Sequence, residues 1–203
     1  VQLLAWSDLV LYEYQGRWTV KEAAVEREFL GLRRDVERLA LACYFAEAAE
    51  ALAVEDVPAP ELLSLVLNSL YALDQMPQKP LALVKAAFEL RVMAESGYAP
   101  DLTSCGVCGE VIENPPVCFS VRAGTAADAK CAGRVGGYAQ LVDSTLRAML
   151  HALTAEPNKV YAFVLSGPAR EQFCGMAEEY VKYHLGREFE SLRFYRSLQM
   201  PMK

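Results

Sequence analysis

Four of the six cysteines fall between residues 105 and 131, and this cluster constrains the fold more than any other feature of the sequence. Cys105 and Cys108 form a CxxC pair, a spacing at which two thiolates can bind one tetrahedral metal ion. A second pair is expected about 15–20 residues further on. Cys131 lies close to that position, but Arg134 stands where its partner would be. Residues 98–138 are therefore predicted to form an irregular loop around a structural Zn²⁺ ion.

The fourth ligand of this ion is open from the sequence. Cys118 is the leading candidate, water or an outside group is a second, and a loop that folds without metal is a third. A redox enzyme is a more distant alternative, because a reactive CxxC motif needs a strand before it and a helix N-terminus at the first cysteine. Here Pro100 precedes the motif and Pro115-Pro116 follows it, which does not favour an arrangement of strand, motif and helix.

The rest of the chain is predicted to be mainly α-helical. Apolar residues recur at helical spacing, with proline or glycine at several of the boundaries; the predicted helices are 28–52, 60–76, 80–96, 141–153, 168–185 and 191–198. Residues 9–14 and 17–20 instead predict two strands joined by a Gln15-Gly16 turn. Two strands alone are marginal in water, and the first residue is Val, so we expect further strands upstream.

Composition excludes several classes of protein. Hydrophobic residues make up 53% and the net charge is −6, which argues against a disordered or polybasic chain. No apolar run reaches the roughly 18 residues that a membrane helix needs, because the longest candidate, 39–52, carries Glu47 and Glu50. Glycine-rich nucleotide-binding motifs are absent from the sequence.

Two groups of arginines are candidates for binding nucleic acid. The first follows the predicted hairpin and its aromatic residues, an arrangement that suits stacked bases and paired phosphates; it consists of Arg33, Arg34 and Arg38, near Trp6, Tyr12, Tyr14 and Trp18. The second lies in the basic C-terminal region, at Arg187, Arg193 and Arg196. The alternatives are neutralisation by Asp35 and Glu37, aromatic residues buried in a core, and cations placed at helix C-termini.

Three segments together resemble the RecO family of bacterial DNA repair proteins. They are EFLGLRRDVERLA with YFAE at 28–47, FELR through GYAPDL to CGVCG at 88–109, and YHLGRE with SLRF at 183–194. The resemblance implies an N-terminal OB-fold, of which residues 1–27 would supply the last strands. It also implies a helical domain over 28–203, with the zinc-finger-like loop 98–138 inserted in it.

The resemblance further implies a function without bond-breaking chemistry. RecO-like proteins bind single- and double-stranded DNA, anneal complementary strands, and act with RecR to load RecA onto single strands coated by single-strand-binding protein (SSB). A cytoplasmic, nucleoid-associated protein is expected. In zinc-bearing members the loop has two CxxC pairs, so Cys105, Cys108 and Cys131 correspond to ligands. The alternative is a zinc-stabilised helical module that binds proteins and has little affinity for DNA.

A binding groove for the SSB tail is expected on the helix predicted at 80–96. This tail is acidic with an apolar end, so its site needs a cation beside an apolar slot. Lys85, Phe88 and Val92 share one helical face, and Arg91 lies on an adjoining face. The alternative is that Phe88 and Val92 are core residues and that the two cations are solvated.

Overall fold

The computed structural model describes residues 2–113 and 115–200; residues 1 and 201–203, at the ends of the predicted ranges 1–27 and 28–203, lie outside the described residues. Within the described part there are six strands and seven α-helices, which agrees with the prediction of a mainly helical chain. The strands are β1 (Trp6–Tyr14), β2 (Arg17–Arg27), β3 (Asp101–Cys105), β4 (Val117–Ser120), β5 (Thr125–Asp128) and β6 (Ala139–Gln140). The helices are α1 (Val36–Leu52), α2 (Pro60–Gln75), α3 (Leu81–Glu95), α4 (Ala129–Val135), α5 (Asp143–Thr154), α6 (Gly167–Leu185) and α7 (Glu190–Leu198).

The N-terminal hairpin is a separate two-stranded antiparallel sheet of β1 and β2. Gln15 and Gly16 both have positive φ, 50° and 74°, and they form the predicted turn. The strands are longer than expected, and two register shifts leave Lys21 and Glu26 without a partner on β1. Nearly every residue of both strands is exposed, so this sheet has no core of its own.

Helix α1 begins at Val36, eight residues later than predicted. Asp35 has an extended backbone, and its carboxylate accepts the N–H groups of Glu37 (2.9 Å) and Arg38 (3.2 Å) as an N-cap. Before it, residues Leu30–Arg34 form a 3-10 turn. Gly31 lies so close to α2 that an added Cβ would be 2.4 Å from Asp74 Oδ1. The turn therefore docks on α2 instead of extending α1.

Helix α3 is the centre of the helical core. Ten of its fifteen residues are buried, and the rings of Phe45 and Phe88 stack at 4.0 Å between α1 and α3. The rings of Tyr44 and Phe189 meet at 5.4 Å, which brings the segment before α7 into the same cluster. Burying one such side chain stabilises the fold by about 1.5–3 kcal/mol, so these aromatic contacts fix how the helices meet.

A buried polar network runs through this apolar core. Lys85 Nζ lies 2.9 Å and 3.0 Å from the two carboxylate oxygens of Glu89 and 2.5 Å from Glu178 Oε2. The Tyr44 hydroxyl donates to Glu89 at 2.9 Å, and Arg196 donates to Glu178 at 2.6 Å. Burial alone would lower the pKa of Lys85, but the two carboxylates outweigh it and raise that pKa. The network therefore keeps a charged lysine inside the protein.

Residues 98–138 contain more regular structure than the predicted loop. Strands β3, β5, β4 and β6 form a four-stranded sheet in that order, in which β3 and β5 are parallel and the other pairs are antiparallel. The strands have two to five residues, too short to show a clear alternating pattern. We call residues 98–138 the finger; β6 follows directly after them. The finger packs on α6, where the Tyr180 hydroxyl donates to Tyr98 O at 3.1 Å.

The end of α6 and the start of α7 are fixed separately. Gly186, with φ 59° and ψ 20°, ends α6 in the left-handed conformation that favours glycine. The carboxylate of Glu47 accepts the N–H groups of Glu190 (3.0 Å) and Ser191 (2.9 Å) at the start of α7.

None of the helices within residues 2–113 and 115–200 combines the length and apolarity required to cross a bilayer.

The buried network generates a stability prediction. Lys85→Met removes the cation and leaves the Glu89 carboxylate buried without its partner, so the free energy of unfolding should fall by about 3–5 kcal/mol. Urea denaturation followed by circular dichroism measures this change.

Arg147→Met is the matched control, because Arg147 forms an ion pair at the same i,i+4 spacing with Asp143 on the surface. It should change stability by no more than about 0.5 kcal/mol. Equal losses for the two variants would contradict a special role for the buried pair.

Candidate metal centre and nucleic-acid interface

The first half of the cysteine cluster is a turn at the end of β3. Cys105 O accepts the N–H of Gly109 at 2.7 Å, and Gly106 N–H donates to Ala126 O on β5 at 2.8 Å. A Cβ on Gly106 would lie 2.2 Å from Thr125 Oγ1, and Gly109 has φ +80°. Both positions therefore require glycine if the turn is to bring Cys105 and Cys108 together.

The second half lies where β5 ends and α4 begins. Asp128 is the N-cap of α4, and its carboxylate accepts the N–H of Cys131 at 2.9 Å. The parallel pairing of β3 with β5 places Cys105 opposite Ala126. The two halves therefore meet at one end of the finger sheet.

Four potential ligands converge at this point. One ligand atom each from Cys105, Cys108, Asp128 and Cys131 lies within 4.8 Å of the other three. Around a tetrahedral Zn²⁺ with usual bond lengths, such atoms are about 3.6–3.8 Å apart. Cys105 and Cys131 are buried while Cys108 is exposed. The cluster could hold a metal ion after small side-chain adjustments, and its three sulfurs favour a thiophilic ion such as Zn²⁺.

Asp128, and not Cys118, completes the set. Cys118 lies on β4 opposite Ala127 and packs beside Cys105 and Cys131 in a small apolar cluster, but its sulfur is not among the four convergent atoms. Burial is the main cause that raises the pKa of Cys118, with the Asp128 charge adding to it. The prediction of Cys118 as leading fourth ligand is corrected accordingly.

Hydrogen bonds set the protonation of this cluster. The pKa of Asp128 is about 2, mainly because its carboxylate accepts the backbone N–H of Cys131. The pKa of Cys131 is raised to about 12, first by its own hydrogen bond to Asp128 and then by burial. A bound metal ion would reverse the second shift, because a coordinating thiol is deprotonated.

The first arginine group divides into one structural and two exposed side chains. Arg38 donates to Leu73 O at 2.5 Å and Pro77 O at 3.2 Å, so it caps the C-terminal end of α2, and it pairs with Asp35 at 3.2 Å. These contacts contradict its predicted role as a phosphate ligand. Arg33 and Arg34 are exposed, although Arg33 also donates to the Gln2 side chain.

The second group divides in a similar way. Arg196 pairs with Glu178 at the partly exposed end of the network, and Arg193 pairs with Glu190 at 2.5 Å on the surface. Arg187 is exposed and lies 4.9 Å from the centroid of the Phe189 ring. Of the three, Arg187 is the one without an acidic partner within the described residues.

The prediction of a groove for the SSB tail on α3 is wrong. Phe88 and Val92 are core residues with exposures of 0% and 1%, and Lys85 is buried in its ion pairs. Arg91 donates to Leu153 O (2.6 Å) and Ala155 O (3.1 Å), so it caps α5. The helical spacing showed which residues share a face, but that face is turned inward against α1 and α6.

The hairpin aromatics are on the surface. Trp6, Tyr12, Tyr14 and Trp18 are between 42% and 65% exposed. Cross-strand pairs put Trp18 on the same face as Leu9, Leu11, Val20 and Val25, and Trp6, Tyr12 and Tyr14 on the opposite face. Within the described residues these four rings do not form a core, which was the alternative.

Comparison with known proteins decides the family. A family model described as "Recombination protein O C terminal" matches residues 33–193. The chain belongs to the RecO family. The "DNA repair protein RecO" of Acetivibrio thermocellus is 28% identical over 197 residues, which cover 97% of this chain and 78% of that protein. The protein of the same name from Anaeromyxobacter sp. strain K is 34% identical over 171 residues, which cover 84% of this chain and 66% of that protein. The chain thus spans about two thirds to four fifths of these relatives.

This RecO-family chain has a changed version of the expected metal-binding pattern. Residues 128–131 read Asp-Ala-Lys-Cys, so Asp128 and Cys131 have the spacing of a CxxC pair with aspartate in the first position. Asp128 also follows Cys108 at about the separation expected for a second pair. The signal is therefore present in the sequence, as a carboxylate three residues before Cys131 instead of a cysteine three residues after it.

The donor set predicts how substitutions change metal content. Elemental analysis of protein purified without chelator should find about one zinc per chain. Asp128→Ala should lower that content, whereas Asp128→Cys should retain the metal because thiolate is a good zinc ligand.

Cys118→Ala is the control, because its sulfur lies beside the cluster and is not part of it. It should leave the zinc content unchanged. Loss of zinc in Cys118→Ala together with full zinc in Asp128→Ala would show that Cys118 is the ligand after all.

Proposed function

We propose that this chain is a DNA-binding recombination mediator in recombinational DNA repair. The observation that carries the proposal is the match of residues 33–193 to the RecO C-terminal family, together with relatives named DNA repair protein RecO. In this proposal the chain binds DNA, anneals complementary strands and, with RecR, assists RecA loading on SSB-coated single strands. It performs no bond-breaking chemistry, and it works in the cytoplasm at the nucleoid.

The proposed domain organisation assigns a part to each region. Residues 1–27 belong to an OB-fold, a barrel whose faces bind single strands through exposed aromatics and cations. The exposed faces of β1 and β2 support this assignment, because one of them is an apolar stripe of Leu9, Leu11, Val20 and Val25. Residues 28–203 form the helical domain. Its finger, residues 98–138, is stabilised by Zn²⁺ on Cys105, Cys108, Asp128 and Cys131.

A second candidate function is a helical protein-interaction module with little DNA affinity of its own. This function is favoured because several cations have structural roles and are not available to DNA: Arg38 and Arg91 cap helices, and Lys85 is buried. The net charge of −6 also reduces long-range attraction to DNA. The two functions differ in the salt dependence of binding, which measures the number of phosphate contacts.

An SSB tail would require a site other than α3. A cleft of about 610 Å³ lies between the hairpin and α2, with Trp6, Leu63 and Tyr71 among its walls. The guanidinium of Arg27 lies 4.8 Å from the Tyr71 ring centroid and 5.6 Å from that of Phe29. Apolar walls beside a fixed cation match an acidic peptide with an apolar end.

The DNA-binding proposal is tested by fluorescence anisotropy of a labelled single-stranded oligonucleotide at several salt concentrations. Arg33→Ala/Arg34→Ala should weaken binding and reduce the slope of log K against log salt by about 1.4, since each phosphate contact on a single strand contributes about 0.7.

Arg38→Ala should leave that slope unchanged and lower the melting temperature, because it removes the cap of α2. Absence of measurable binding by the wild-type chain would favour the protein-interaction module.

The peptide cleft is tested by titrating a labelled acidic SSB-tail peptide. Arg27→Glu should weaken binding at least tenfold because it places a like charge opposite the peptide carboxylates. Lys21→Glu makes the same charge change on the same strand, outside the cleft, and should have a small effect. Equal weakening by the two variants would indicate general charge repulsion and would contradict the cleft.

A further inference from the structure

The finger meets the helical domain at a surface that combines an exposed cation with an exposed aromatic ring. The turn between β4 and β5 carries Arg122, whose guanidinium carbon lies 5.9 Å from the centroid of the Tyr183 ring on α6. Tyr183 is 52% exposed, and Arg122 is exposed as well. Two elements distant in the sequence therefore build one surface, which we call the junction.

The junction is held in place by contacts on both sides of Arg122. His184 Nε2 lies 2.9 Å from Val121 O, and the His184 ring packs 4.2 Å from that of Tyr180. Gly124 closes the turn by donating to Ser120 O at 2.9 Å. An added Cβ on Gly124 would lie 3.0 Å from the Tyr180 hydroxyl. Arg122 and Tyr183 are thus presented on a fixed frame, which reduces the entropy cost of binding a ligand.

The cation of the junction is not held in an ion pair. Arg122 has no carboxylate within ion-pair distance among residues 2–113 and 115–200. Arg193 and Arg196, by contrast, each have an acidic partner. A positive surface beside an open ring is the combination that binds single-stranded nucleic acid, because phosphates pair with the cations while an unpaired base stacks.

We propose that the junction is a subsite for single-stranded DNA, in which a base stacks on Tyr183 and a neighbouring phosphate contacts Arg122. This inference rests on the proposed DNA-binding function and assigns one surface to it. Arg187 lies outside this subsite, because its guanidinium is over the Phe189 ring and it lines a pocket with Tyr44 and Glu178. Duplex DNA offers no free base to the ring, so the subsite prefers single strands.

The subsite gives the metal cluster a role in binding. Asp128 and Cys131 hold one end of β5, and the turn with Arg122 lies at the other end of the same four-residue strand. A finger fixed at one end by metal and at the other by α6 keeps Arg122 over Tyr183. Removing the metal would loosen only the first of these two attachments.

The test uses the whole chain and a labelled oligothymidylate, with affinity measured by fluorescence anisotropy at several salt concentrations. Tyr183→Ala should weaken binding about tenfold with an unchanged salt slope, and Tyr183→Phe should restore wild-type affinity because the ring is kept. Arg122→Ala should reduce the slope by about 0.7, as expected for one lost phosphate contact.

Arg147→Ala is the matched control, an exposed arginine on α5 away from the junction, and circular dichroism checks that each variant is folded. Unchanged binding by Tyr183→Ala and Arg122→Ala, when wild type binds, would overturn the subsite and leave the proposed function standing. If only Trp18→Ala lost binding, the subsite would likewise be overturned, and the base would be assigned to the hairpin. Absence of binding by wild type would overturn both.

Discussion

One buried lysine holds four helices of the domain in register. Lys85 on α3 bridges Glu89 on the same helix and Glu178 on α6, and through them it is connected to Tyr44 on α1 and Arg196 on α7. Burying the charges of Lys85 and Glu89 is costly, so α1, α3 and α6 pack in the arrangement that gives both of them partners. This requirement turns a general hydrophobic collapse into one particular alignment of α1, α3, α6 and α7, and it fixes the surface on which the finger docks.

The helices could be predicted from the sequence because their apolar spacing and their proline and glycine boundaries are local signals. Helix α2 and the ends of α3 and α6 follow from Pro60, Gly97 and Gly186. The start of α1 could not be predicted, because the contact of Gly31 with Asp74 joins residues that are distant in the sequence. The finger sheet was missed for a related reason: its strands are too short for a periodic pattern and depend on their neighbours.

The site shows the same division. Cys105, Cys108 and Cys131 could be identified as candidate ligands because metal ligands have characteristic spacing, and Asp128 could have been found from its position three residues before Cys131. The roles of the charged residues could not. In the sequence, Arg38 and Arg91 cannot be distinguished from arginines that bind DNA, but tertiary contacts make them helix caps. Burial and hydrogen-bond partners distinguish a structural cation from an available one, and a single sequence contains neither.

The two attachments of the finger differ in how early they can form during folding. The four candidate ligands lie within one short segment, from Cys105 to Cys131, so closing that loop costs little chain entropy. The bond from His184 to Val121 spans 63 residues, and the pairing of Lys85 with Glu178 spans 93. During synthesis on a ribosome, the end of the finger that carries the four candidate ligands can therefore form before α6 has been synthesised. The orientation of the finger is settled only after α6 has been synthesised and has packed on α3.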